Sequence, residues 1–143
     1  MKKILVMFLV IGLLGCEKVE DNIDLEQPQS DKNLEKAQSE IRNYHEQQKE
    51  AAKATTKIDP KMDIVDLTIC TAASMKIGEG IGVYQVWTEE LNRRYKIIYP
   101  SKTDTEIDNY VSGRIDDKLR YLKDKGLETQ QSFSKFYKEN CKF

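Results

Sequence analysis

A chain of 143 residues with 23 Lys and Arg against 24 Asp and Glu has room for one domain and carries almost no net charge. A formal charge of -1 excludes bulk phosphate binding, which depends on a clear excess of cationic side chains, and no nucleic-acid partner is expected. Seven Tyr, four Phe and one Trp lie mostly beyond residue 80, so the packed core is expected there.

The chain starts with the basic Met1-Lys2-Lys3, followed by an apolar run from Ile4 to Leu14 broken only by Gly12. That run is too short for a permanent membrane span, which needs about 20 apolar residues. Its size and flanks fit a secretory signal over residues 1–15. Leu13-Leu14-Gly15-Cys16 then resembles the lipobox of bacterial lipoproteins. The resemblance implies cleavage before Cys16, a thioether-linked diacylglycerol on its sulfur, and a further fatty acyl group such as palmitate on the new amino terminus. It also implies a cell-envelope address. Glu17, where an Asp would stand in inner-membrane lipoproteins, implies the outer membrane facing the periplasm if the host has two membranes. Several acyl chains hold a protein stably at a bilayer, whereas one binds only marginally. The plainer alternatives are an ordinary cleaved signal with a chance cysteine, or a buried N-terminal helix.

Three cysteines are an awkward number for an oxidising compartment. With Cys16 taken by lipid, Cys70 and Cys141 remain as one pair. A bridge between them closes a loop of about 70 residues, and chain entropy values that at about 4 kcal/mol. Two buried thiols are the alternative. Two distant Cys and a single His lack zinc-ligand spacing, so no metal and no cofactor are expected.

Residues 16–33 are polar and acidic around Pro28 and read as a lipidated flexible tether. Leu34, Ala37, Ile41, Tyr44, Gln48 and Ala51 then recur three and four apart, which predicts a polar helix over 34–57 with one thin apolar stripe. Ala51, Ala52 and Ala54 supply helix propensity rather than packing. Such a helix docks loosely, associates with itself or acts as a stalk. Asp59-Pro60 has the form of a cap followed by the first helical residue and opens the helical domain, 59–143. Ile64, Leu67, Thr71, Ser74, Gly78 and Ile81 carry the rhythm onward, with small residues mid-face where another helix can approach.

Gly78-Glu79-Gly80-Ile81-Gly82 lacks the strand, fingerprint spacing and Gly-Lys-Ser/Thr of a phosphate loop. Gly78, Gly80 and Gly82 instead bend one long helix or separate two, acting as a hinge or allowing close packing. Val83, Tyr84, Val86, Trp87 and Leu91 form a rich face that ends near Arg93-Arg94-Tyr95-Lys96, where positive charge suits a helix C-terminus. Ile97-Ile98-Tyr99 reads as a short extended piece before Pro100 and is the one place for a small ribbon. Thr103 and Glu106 have capping-box spacing, Ile107, Val111, Ile115, Leu119 and Leu122 form the next stripe, and Gly126 is a left-handed stop. A last helix carries Phe133, Phe136, Tyr137 and Cys141. The fold class is all-α, a small four- or five-helix domain behind a flexible N-terminal tether.

Signals of catalysis are sparse. His45 stands alone in the polar helix, and Asp116-Asp117 and Glu89-Glu90 are neighbours that diverge around a helix. Asp104, Glu106 and Asp108 suit a first helical turn. Arg93, Arg94, Tyr95, Lys96 and Tyr99 form the best candidate interaction patch, for a protein, a lipid head group or a glycan. The expected function is therefore non-enzymatic: a membrane-anchored lipoprotein whose helical domain binds or blocks another envelope or secreted protein. Self-assembly through the first helix is the alternative, and an enzyme with an unrecognised site is a third reading.

Overall fold

The computed structural model describes residues 28–141, with side chains from Lys32 onward. The proposed signal, Cys16 and the tether up to residue 27 lie outside the described residues. Within them the chain is all-α, with five helices and no strand: α1 (Pro28–Thr55), α2 (Ile64–Ser74), α3 (Ile81–Ile98), α4 (Asp104–Asp124) and α5 (Gln130–Asn140).

The hub is α2. It packs against α3, α4 and α5, and its Leu67, Cys70, Ala72 and Ala73 are buried. Thr68, Thr71 and Ser74 are buried as well, because each hydroxyl donates to a carbonyl of its own helix: Ile64 at 2.6 Å, Leu67 at 2.8 Å and Thr71 at 2.7 Å. Satisfied in this way, small polar residues keep α2 slim without leaving a dry unpaired group. Its neighbours supply the bulk. Trp87, Leu91 and Tyr95 come from α3, Ile107, Val111, Ile115 and Leu122 from α4, and Phe133 and Tyr137 from α5. The indole N–H of Trp87 donates to the Tyr137 hydroxyl at 2.6 Å, so the largest buried ring brings its polar atom a partner.

The Cys70–Cys141 disulfide is present and joins α2 to the residue just past α5. It closes a separation of 71 residues, which sets its chain-entropy contribution at about 4 kcal/mol.

Several boundaries differ from the sequence reading, each for a local reason. α1 begins at Pro28 rather than Leu34, since proline is a natural first-turn residue. Ala52 is buried against the domain, so it packs as well as favouring helix. The cap of α2 is Asp63, not Asp59: its carboxylate accepts the Val65 and Asp66 N–H groups. Asp59 closes a turn instead, accepting the Lys61 N–H at 2.7 Å. Gly78 and Gly80 separate two helices, while Gly82 lies inside α3. Gly78 and Gly80 have φ of 78° and 82°, a region where a side chain is strained. Ile97 and Ile98 complete α3, and the influence of Pro100 reaches only Tyr99, at φ -123° and ψ 66°. Cys141 follows α5 rather than lying within it. The α4 capping box and the left-handed Gly126 stand where the sequence put them.

α1 differs from the rest. Among the helices it contacts α3 alone, and does so through its C-terminal half. Gly82 makes the approach close, because a Cβ there would lie 2.1 Å from the Gln48 carbonyl oxygen. Lys49 and Lys53 both pair with Glu89 across the contact, at 3.1 and 3.7 Å.

Candidate functional site

Two exposed surfaces are the strongest candidates, at the start and near the end of the chain path through α1 and α3. The first is the C-terminal end of α3 with the turn into α4. Tyr95 and Tyr99, one helical turn apart, stack with centroids 6.2 Å apart and planes within 5°. Tyr110 of α4 meets both edge-on, at 5.1 and 5.6 Å. A hydrogen bond with Tyr99, helped by desolvation, holds the Tyr110 hydroxyl above its ordinary pKa. The cluster grades from buried Tyr95 through half-buried Tyr99 to exposed Tyr110, and Ile97 and Ile98 in the same last turn of α3 are 67% and 51% exposed. Rigid tyrosines next to exposed aliphatic side chains have the composition of a protein-binding hot spot.

The basic members of the sequence-predicted patch are occupied within the chain. Arg94 bonds Glu90 at 2.7 Å, the Asp59 carbonyl at 2.9 Å and the Met62 carbonyl, so it holds the α1–α2 connection onto α3. Lys96 donates to the Lys102 carbonyl and to Asp104 at 2.9 Å, fastening the α3–α4 turn. Arg93 is exposed and grips Glu90 through two nitrogens at 2.7 and 2.8 Å. Hydrogen bonding from Arg93, reinforced by Arg94 against the opposing effect of desolvation, depresses the Glu90 carboxyl from 4.5 to about 2. The structure therefore brings Tyr95 and Tyr99 together with Tyr110, and turns Arg94 and Lys96 to fastening.

The same accounting covers the acidic residues. Glu89 and Glu90 serve different partners, Asp117 lies between Arg114 and Arg120, and Asp108 accepts from Asn92 at 2.7 Å. Among the described residues no group of three His, Cys, Asp or Glu side chains could hold a metal ion. His45 is partly exposed and tilts against Tyr44 with centroids 6.1 Å apart. An open cleft of about 470 Å³ beside the disulfide is lined by Thr55, Lys57, Glu79, Val83, Tyr137 and Cys141. A second of about 510 Å³ lies where Ile58, Val86 and Arg93 meet.

The other surface is the free half of α1, where Leu34, Ile41 and Tyr44 are 58%, 56% and 58% exposed. Tyr110 was not singled out by sequence reasoning, although it sits beside Val111 on α4, off the buried stripe, where an aromatic has no core to fill. Comparison with protein-family models, with curated proteins and with solved structures finds no match to this chain. The class defined by fold and surface is thus a disulfide-closed helical domain carrying a projecting N-terminal helix.

Proposed function

We propose that the protein is a lipoprotein anchored through Cys16, whose helical domain binds or blocks another envelope or secreted protein through the Ile98, Tyr99 and Tyr110 surface. The observation that carries this reading is the Cys70–Cys141 disulfide. Structural disulfides belong to oxidising compartments. Their pairing leaves Cys16, directly behind Leu13-Leu14-Gly15, as the remaining cysteine of three. The stretch between Cys16 and Pro28 can extend at most about 40 Å, so the domain would work close to the bilayer, at the outer membrane in a two-membrane host.

Cys16→Ser is expected to abolish fatty-acid labelling and release the protein from the membrane fraction. Unchanged fractionation and mass would sink the anchor. For the surface, Ile98→Asp combined with Tyr110→Ala should weaken capture of the envelope partner by about thirtyfold or more while the disulfide still forms, the scale of losing a hot spot. Full retention of the partner would move the binding site elsewhere.

A further inference from the structure

We propose that the free half of α1 pairs antiparallel with the same segment of a second copy of this chain. Every residue from Lys32 to Tyr44 is exposed. The segment from Pro28 to Tyr44, at 1.5 Å per residue, projects about 25 Å. Its apolar side is continuous with the α1–α3 interface. Leu34, Ile41, His45, Gln48 and Ala52 recur at helical intervals, so one line of side chains lies in water at Leu34 and is buried on α3 at Ala52. The packing against α3 stops partway along this line, and a second helix laid on the free half continues it.

The seam itself selects the occupant. Leu34, Ala37, Ile41 and Tyr44 follow the three-four-three spacing of a two-stranded coil. In antiparallel order Leu34 meets the partner's Tyr44 and Ala37 meets the partner's Ile41, so the small side chain faces a branched one in both symmetric layers. Parallel order sets Ala37 against Ala37 and Tyr44 against Tyr44, a gap and a crowded layer in one short seam. The domain also lies on the seam side from Gln48 onward, where a parallel partner's own helix would have to run. An antiparallel partner leads its domain away past the N-terminal end, which closes a two-fold dimer and leaves no open edge. Flanking Asn33, Gln38 and Gln47 are uncharged, and Glu40 comes to face the partner's Glu40 near the axis.

The test uses the full chain in cells. Two tagged copies carry Leu34→Cys and Tyr44→Cys, a short bismaleimide links them, and the chain without added cysteine sets the background. A Leu34-to-Tyr44 product is expected, stronger than that of Ala37→Cys with itself. Ile41→Asp should reduce it about tenfold with Cys70–Cys141 still formed. Glu40→Gln should raise it by removing like charges across the axis; a parallel pair would set Glu40 opposite the partner's His45 and lose product. Dominance of the Ala37 product, capture only of a different protein, or no chain-to-chain product would each overturn the proposal. None of these readouts depends on lipid at Cys16.

Discussion

α1 and α4 have the same kind of sequence pattern and opposite surroundings. Both repeat apolar residues at helical spacing among Lys, Glu and Asp. On α4 Ile107, Val111, Ile115 and Leu122 are buried, whereas on α1 Leu34, Ile41 and Tyr44 stand in water. The pattern specifies a helix in both cases. What separates them is the density of large branched side chains and the presence of a slim partner. α4 lies on α2, a helix kept slim by buried Thr71, Ala72 and Ala73. The stripe of α1 alternates Leu and Ile with Ala37 and Gln48, and only its last turns reach a helix, through Gly82 of α3.

The sharpest way to test this division is to cut the centre of the domain. Trp87→Ala removes the largest buried ring together with its hydrogen bond to the Tyr137 hydroxyl, and should cost about 3–5 kcal/mol in urea unfolding. Loss of the disulfide comes next. Cys70→Ser with Cys141→Ser should cost about 2–4 kcal/mol, read as a lowered unfolding midpoint that reductant no longer changes. A smaller effect belongs to Glu90. Its carboxyl is held down to about 2 from 4.5, so its contribution is complete above that ordinary value and lost as pH falls toward 2. Solvent screening leaves about 1 kcal/mol, seen as a steeper acid loss in the native chain than in Glu90→Gln between pH 7 and 2.5. The smallest effect is expected at Leu34→Ala, under about 0.5 kcal/mol in the dilute monomer, since little packing is lost. A large loss there would erase the contrast between the two regions.

Most helices were legible because their signals are local. The Thr103–Glu106 box, the α4 stripe and Gly126 lie within a few residues of the backbone groups they satisfy. The cysteine pairing was legible by arithmetic once Cys16 was set aside. Arg94 was not, because its partners are carbonyls more than 30 residues upstream, in a turn whose shape no local pattern specifies. A charge cluster on paper thus became a clamp in space. The Tyr95–Tyr99–Tyr110 cluster was half legible: one helical turn relates the first two, while Tyr110 joins them only through the α3–α4 turn. Ile97 and Ile98 are helical rather than extended because the effect of Pro100 stops at Tyr99.

The Cys70–Cys141 bond also has a mechanical side. A pull entering from the N-terminal end reaches α1 first and meets its contact with α3, where Gly82 and the Lys49–Glu89 and Lys53–Glu89 pairs sit. Tension can peel that helix away and straighten the chain as far as residue 70. There the bond carries tension straight across to Cys141, so a pull between the two chain ends leaves the segment between the sulfurs unstretched. The molecule is built like a spring hook, with an extensible shank and a closed eye.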